Sequence, residues 1–476
     1  FSKMKNIKFG TDGWRGIIAD DFTFANVSKV AQAIADYYRN KEGLKKGIAV
    51  GYDARFLSEE FAKKVSGVFA GNGIPVILSL KDLPTQCISF TVKEKNLIGG
   101  IMITASHNPP KFNGIKIKGS FGGSVSSEET DEIEALLGRN KVRNISFEEA
   151  EKKGLVKKEN FIDPYLKRLR LFFDETILKK ISFKIIYDPM FGVGESLIKR
   201  FLSSSPSRII TIHPRYNPGF GGLNPEPIEK NLEDLKRKVK EEGADLGIAS
   251  DGDADRVGIV DNQGKYLTPH QVFSLLLLYL IEERRMKGGI AKTVSMGYQP
   301  ERIARKFNLL LEETAVGFKF ICEKMLKGGI LFGGEESGGY GFREHLPERD
   351  GILSALFLID LIWRKGKPLS KILKGMEEKF GKSFFERVDF ENIEIDKEKM
   401  VKKFSSFPPS SLGDIPLRKV ETIDGLKFIM KDDSWLLIRP SGTEPKIRVY
   451  AEAPEKNQLH KIIEQGKEVV RCMRVS

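Results

Sequence analysis

At 476 residues the chain is too long for one ordinary hydrophobic core, so several domains are expected. Its 40% hydrophobic and 30% charged residues are those of a soluble globular protein. The longest apolar stretch, Val272 to Ile281, is too short to span a bilayer. The 78 Lys and Arg outnumber the 65 Asp and Glu by 13, which suits nucleic acid, an anionic surface or an anionic small substrate. Because the lysines are scattered over helical segments such as Leu235 to Lys240, a solvated helix face accounts for most of them, and neither nucleic acid nor membrane is expected as a partner. No signal-peptide pattern opens the chain, and Met4 reads as the natural start. Cys87, Cys322 and Cys472 form no CxxC pair, so a reducing cytoplasm is the expected location.

Apolar runs at Gly47 to Tyr52, Ile74 to Leu78 and Ile98 to Thr104 read as buried strands between amphipathic helices. The third run delivers Thr104-Ala105-Ser106-His107-Asn108-Pro109-Pro110 to a strand end, where open α/β sheets place reactive groups. The prolines fix a turn, and a serine on so rigid a corner can act as a nucleophile or carry a phosphoryl group. Alone it reads better as a capping serine. Ser106 and His107 are adjacent, so in extended backbone their side chains should point apart. The charged stretch from Asn140 to Asn160 has few apolar anchors and is expected to join two domains.

Further strands are expected at Lys184 to Tyr187 and Leu246 to Ser250; Gly192-Val193-Gly194 after the first is a lone GxG of little weight. Asp251-Gly252-Asp253-Ala254-Asp255-Arg256 follows the second. Carboxylates at alternate positions of an extended segment share one side and repel unless a cation sits between them, and three hard oxygens suit Mg²⁺. An EF-hand is excluded, because its sixth and twelfth positions hold Arg256 and Asn262. Val272 to Ile281 reads as a buried helix and Ile330 to Phe332 as a strand, followed by Gly333-Gly334-Glu335-Glu336-Ser337-Gly338-Gly339. Its glycines admit a ligand to the backbone, and its carboxylates and hydroxyl suit sugar hydroxyls. Gly375 to Ser383 imitates a P-loop but has one residue too many between its glycines. Last, Arg439-Pro440-Ser441-Gly442-Thr443-Glu444-Pro445 joins two strand-like runs; with Arg448 it offers a forked cation and hydroxyl donors fit for a phosphate dianion.

These four loops, in this order, resemble the α-D-phosphohexomutase superfamily of phosphoglucomutases and phosphomannomutases. Phe9-Gly10-Thr11-Asp12-Gly13-Trp14-Arg15-Gly16 and Gly51-Tyr52-Asp53-Ala54-Arg55 extend the resemblance. It implies three α/β domains with mixed, largely parallel sheets and a smaller C-terminal α+β domain around a central cleft. The expected ranges are 1–150, 151–258, 259–376 and 384–476. It also implies that Ser106 is phosphorylated and holds Mg²⁺ with Asp251, Asp253 and Asp255. Lys116 matches the family's general acid/base, with a pKa lowered among cations, while Lys118 is expected to be exposed. Arg15 matches the arginine near the catalytic phosphate, and His107 shapes the serine loop. Arg256, Gly317, Lys319, Glu335, Ser337, Arg439, Ser441, Gly442, Thr443 and Arg448 are the implied substrate contacts.

The implied reaction interconverts glucose 1-phosphate and glucose 6-phosphate through a bound hexose 1,6-bisphosphate, which is also the activator. Many mannose and glucosamine relatives carry His where this chain has Gly339, which favours glucose; mannose or dual specificity is the alternative. A metal-dependent sugar-phosphate phosphatase is the competing enzyme class. A monomer or homodimer acting on small hexose phosphates is expected.

Overall fold

The computed structural model describes residues 7–10, 12–39, 41–214, 217–391, 397–406, 408–440 and 446–474. Several of its strands, among them Ile48–Tyr52, Val76–Ser79, Lys184–Asp188 and Val257–Asp261, are runs rich in β-branched residues bounded by glycine, proline or short polar turns. The first sheet is built from β1 (Trp14–Ile17), β2 (Ile48–Tyr52), β3 (Val76–Ser79), β4 (Gly99–Ile103), β5 (Phe112–Gly119) and β6 (Val156–Glu159). Their order is β1-β5-β4-β2-β3-β6. Strands β4, β2, β3 and β6 run parallel, whereas β5 is antiparallel to both β4 and β1. Every residue of β2 and β4 is buried, as a strand covered on both faces requires.

The second sheet uses β7 (Lys184–Asp188), β8 (Arg208–Thr211), β9 (Leu246–Ser250), β10 (Val257–Asp261) and β11 (Tyr266–Leu267), ordered β11-β10-β9-β7-β8. The third uses β12 (Gly289–Thr293), β13 (Leu311–Thr314), β14 (Ile330–Gly334), β15 (Tyr340–Phe342) and β16 (Leu346–Arg349), ordered β13-β12-β14-β15-β16. One plan recurs three times. A parallel strand (β4, β9 or β14) hands over to an antiparallel neighbour (β5, β10 or β15), and the connecting loop carries the serine, the aspartates or the glutamates.

Sheet membership moves two expected boundaries. The stretch from Asn140 to Asn160 is not a bare linker: it holds the helix Phe147–Lys152 and β6, and Ala150 and Val156 enter the first core. Its charges do not keep it apart from the domain, because β6 pairs with β3 over four residues. A division at 150 therefore cuts the first sheet, and one at 258 cuts β10.

The fourth sheet is antiparallel throughout: β17 (Phe384–Glu391), β18 (Ser411–Leu412), β19 (Ile415–Glu421), β20 (Leu426–Met430), β21 (Trp435–Pro440) and β22 (Lys446–Ala453). The helix Lys456–Arg474 covers it, burying Leu459, Ile462 and Ile463 in a separate core. This unit docks on the third domain through Val294, Tyr298, Ile429, Trp435, Leu437 and Tyr450. At the centre of the contact the buried Glu452 accepts hydrogen bonds from Tyr298 N at 2.9 Å and Trp435 Nε1 at 2.7 Å.

The apolar run 272–281 lies in the helix Pro269–Leu278 and the following π-turn, started by a capping box in which Thr268 and Gln271 satisfy each other's backbone donors. No helix among the described residues is long and apolar enough to cross a membrane. In the helix Glu233–Glu242 only Leu235 and Val239 are buried, and Lys236 and Arg237 pair with Glu233 and Asp234, so these charges form a solvated face.

Candidate active site

Ser106 follows β4 by three residues, is fully buried and has φ 52°. A left-handed conformation at a non-glycine residue costs on the order of 1 kcal/mol or more, so surrounding bonds must hold it. Thr104 Oγ1 accepts from Ser106 N at 2.8 Å, and Asn108 N donates to Ala105 O at 3.0 Å, closing the turn. The strain has a visible result: Ser106 Oγ donates to Asp251 Oδ2 at 2.7 Å and lies 3.4 Å from His107 Nδ1. The expectation that Ser106 and His107 point apart is thus corrected, because strand alternation does not apply at positive φ. Burial, with Arg256 and Arg15 nearby, holds the His107 imidazole well below its usual pKa. Arg15, on β1, donates to Asn108 Oδ1 at 2.5 Å and so braces the same loop.

The aspartates converge, but not through extended backbone. Ala254 has φ 57° and its N donates to Asp251 O at 3.0 Å, so the segment turns back on itself. One carboxylate oxygen from each of Asp251, Asp253 and Asp255 lies within 4.8 Å of the others, and all three residues are fully buried. Burial and the neighbouring charges of Asp253 and Asp255 push Asp251 well above the usual carboxylate range. Burial also works to raise Asp253, but Lys116 and a bond from Thr85 outweigh it and hold that carboxyl low. Thr85 opens the helix Thr85–Glu94 and donates through Oγ1 to Asp253 Oδ2 at 2.6 Å, while Gln86 Nε2 donates to Ala254 O at 3.0 Å. The first domain therefore grips the aspartate loop of the second. Arg256 closes the loop, its N donating to Asp251 Oδ1 at 3.1 Å and its Nε 3.9 Å from Asp255 Oδ1.

Lys116 sits on β5 with Nζ 2.7 Å from both Asp253 Oδ2 and Asp255 Oδ2 and 3.1 Å from Asp12 Oδ2. Burial alone would lower its pKa, but these three carboxylates win and raise it. The expected lowering is corrected: anions, not cations, are its nearest neighbours. Lys118 is corrected too, being fully buried and paired with Glu348 Oε2 at 2.5 Å.

Arg349, which sequence reasoning missed, links three domains. Its NH2 lies 2.5 Å from Asp12 Oδ2 and 2.8 Å from Asp255 Oδ2, and its NH1 lies 3.4 Å from Glu335 Oε2. The residue facing it explains Gly339: a Cβ there would come within 2.3 Å of Arg349 Cδ. The side chain absent at 339 leaves room for the arginine stem arriving from β16. The available signal was the charged triplet Glu348-Arg349-Asp350 running directly into the apolar sequence of the buried helix Gly351–Lys365. Glu335 is buried, which outweighs Arg349 and pushes its carboxyl up to about 7. Ser337 Oγ is buried without a hydrogen-bond partner among the described residues, and Glu336 accepts from Ser295 Oγ at 2.5 Å.

Gly317 has φ 134° and precedes the helix Phe318–Lys327, on whose first turn Lys319 is largely buried, which lowers its pKa. Arg439, at the end of β21, donates through Nε to Asp424 Oδ2 at 2.5 Å, and that carboxylate also accepts from Val316 N at 3.1 Å. The arginine is thereby set beside the Gly317 segment. Arg448 lies across from Arg439 in the β21–β22 register, its Nε 3.9 Å from Asp389 Oδ2. Ser441, Gly442 and Thr443 lie outside the described residues.

Family models for phosphoglucomutase/phosphomannomutase match in series: alpha/beta/alpha domain I at residues 6–144, domain II at 163–264, domain III at 268–380 and the C-terminal domain at 394–468. The chain belongs to the α-D-phosphohexomutase superfamily. Superfamily relatives match over nearly their whole length. A phosphoglucosamine/phosphogalactosamine mutase of Sulfurisphaera tokodaii is 30% identical over 97% of this chain and 98% of its own. A phosphoglucomutase/phosphomannomutase of Thermococcus kodakarensis is 28% identical over 96% and 97%. A crystal structure from Thermus thermophilus, provisionally named a phosphomannomutase, aligns with TM-score 0.87 and 33% identity over 98% of this chain and 100% of that one. Like these phosphohexomutases, the protein is an enzyme of the phosphotransferase-isomerase type.

Phosphohexomutases use Mg²⁺. The residues present fit it, because Asp253 Oδ1 and Asp255 Oδ1 are buried with no hydrogen-bond partner among the described residues. A buried anionic oxygen left without a partner is costly, and a hard divalent cation is the group that three carboxylates satisfy.

Proposed function

We propose that the protein interconverts hexose 1-phosphate and hexose 6-phosphate through a phosphorylated Ser106, with glucose phosphate as its preferred sugar. The observation that carries this reading is the meeting of Ser106 Oγ with Asp251 at the mouth of a three-aspartate cluster. Asp251, Asp253 and Asp255 would hold Mg²⁺, which when bound neutralises charge on the transferring phosphoryl group.

The side chains divide the remaining work. In the first half-reaction the bond from phosphorus to Ser106 Oγ breaks and a bond to the free sugar hydroxyl forms. The hydroxyl proton passes to Nε2 of His107, whose imidazole is kept neutral by burial and nearby cations, while its Nδ1, 3.4 Å from Ser106 Oγ, gives a proton to the leaving serine oxygen. Lys116, kept charged by Asp12, Asp253 and Asp255, neutralises phosphoryl oxygens. The product is a hexose 1,6-bisphosphate. It turns over and returns its other phosphoryl group to Ser106 Oγ by the same steps reversed. Glu335 and Ser337 Oγ, which has no hydrogen-bond partner among the described residues, receive sugar hydroxyls, and Arg439 with Arg448, Ser441, Gly442 and Thr443 grips the phosphate that is not transferring.

The glucose preference rests on Gly339 and Arg349, since the arginine stem fills the space a histidine would need. The names of the archaeal relatives make glucosamine 1-phosphate the main competitor, with mannose 1-phosphate next. Side-by-side kcat/KM values on the three sugar 1-phosphates, with inorganic phosphate assayed in parallel, test both points. Glucose is expected to be used best, without phosphate release. A higher value for glucosamine contradicts the preference, and steady phosphate release contradicts the mutase reading in favour of a phosphatase.

A further inference from the structure

Arg55 is buried behind the serine loop, with its side chain fully enclosed. All four of its terminal N–H groups are spent on that loop's backbone. NH2 donates to Ser106 O and to Asn108 O, both at 2.6 Å, and NH1 donates to Pro109 O and Phe112 O, both at 3.0 Å. Nε lies 3.3 Å from Asp53 Oδ2, and the Arg55 amide donates to Asp53 Oδ1 at 3.0 Å. Asp53 reaches the loop from the other direction, accepting from Thr104 Oγ1 at 2.6 Å, the hydroxyl that receives Ser106 N. The amide and the carbonyl of Ser106 are thus tied to one buried Asp53–Arg55 pair.

The second domain closes the arrangement. The Phe220 ring covers the guanidinium at 4.9 Å, and Gly252 packs so closely that a Cβ there would lie 2.5 Å from Ser106 O and 3.6 Å from Arg55 NH2. A planar fork that satisfies four carbonyls in one small space is a task for arginine. A lysine ammonium carries three donors on a single atom and cannot span them.

We propose that Arg55 is a positioning residue for phosphoryl transfer, holding Ser106 in its left-handed backbone conformation so that Oγ faces the aspartate loop. The proposal rests on the phosphoserine reading of Ser106 but concerns a residue whose hydrogen bonds to the serine loop are all made to backbone carbonyls. A loop released by even 1 Å loses the alignment transfer needs, a displacement that costs on the order of 100-fold in rate.

The test compares the full-length wild type, Arg55→Lys and Ser106→Ala in glucose 1-phosphate to glucose 6-phosphate conversion with Mg²⁺ and glucose 1,6-bisphosphate, normalised to folded protein. Arg55→Lys keeps a cation beside Asp53 and is expected to lose about 100-fold in kcat with KM changed by no more than about twofold. A role confined to stability lowers the folded fraction and leaves kcat per folded molecule intact, and that result overturns the proposal. If Arg55→Lys does not fold, Phe220→Leu decides: loosening the lid over the guanidinium is expected to lower kcat several-fold at constant KM, and an unchanged kcat overturns the proposal. Ser106→Ala separates the two readings. Activity retained by that variant removes the phosphoserine premise itself, whereas an inactive Ser106→Ala beside a fully active Arg55→Lys removes only the role given to Arg55.

Discussion

Lys116 and Lys118 alternate with Ile115 and Ile117 on β5, a pattern that ordinarily sends lysines to water. Both are buried instead, because the polar face of this strand is roofed by Asp12, Glu348 and the aspartate loop. Alternation shows that two faces differ; it does not show which one meets solvent. Ser106 and the three aspartates were legible because each stands in a short motif after a buried strand. Arg349 was not, since its partners come from residues 12, 255 and 335, brought together only by the fold. Two predictions belong at this scale. Gly339→Ala forces the Arg349 stem aside and is expected to lower kcat/KM about 100-fold, since a bridging charge in a buried site moves with it; unchanged kinetics would show that the close packing is without consequence. Glu335, with its carboxyl near 7, is neutral below that pH and an ionised acceptor above it. KM for glucose 1-phosphate should therefore fall roughly fivefold between pH 6 and 8, about the gain from charging one acceptor. Glu335→Gln should lose that part of the profile while keeping the part due to substrate phosphate ionisation.

At the level of elements, the recurring plan of the first three domains is matched by no obvious sequence repeat, although each shows an apolar run ending in a polar loop. The plan is held by register and burial, which many apolar residues satisfy, whereas the three loops diverged to carry different chemistry. The apolar runs marked where strands lie. They could not mark β6, whose sequence Val-Lys-Lys-Glu buries only its first residue and is a strand because β3 offers it an edge. Loop against loop is where the site is most exacting. Gly252 lets the aspartate turn rest on the Ser106 carbonyl, and a methyl group there would come within 2.5 Å of that oxygen. Gly252→Ala is expected to lower kcat about 100-fold and to raise the Mg²⁺ concentration giving half-maximal activity, read by titrating Mg²⁺ into chelator-treated enzyme. A wild-type Mg²⁺ titration would contradict the close fit of the two loops.

On the scale of the whole molecule, the first three domains share one buried apolar cluster, and their loops meet in polar contacts at the candidate site: Thr85 on Asp253, Lys116 on Asp253 and Asp255, and Arg349 across all three. The fourth domain packs on the third through the buried Glu452 and a separate, smaller patch of aromatic and aliphatic side chains. The four-domain order was readable because each signature loop follows its own strand. The extents were not, since β6 and β10 carry sheet membership past the points where composition changes. The proposed function turns on Ser106 as a phosphoryl carrier. The direct measurement is phosphoryl transfer from a labelled hexose 1,6-bisphosphate to the dephosphorylated enzyme, located by mass spectrometry of peptides. The account predicts one phosphoryl group per chain, on Ser106, discharged when hexose phosphate is added at the rate of turnover. Label on another residue, or a Ser106 phosphate that hexose phosphate does not remove, would contradict it.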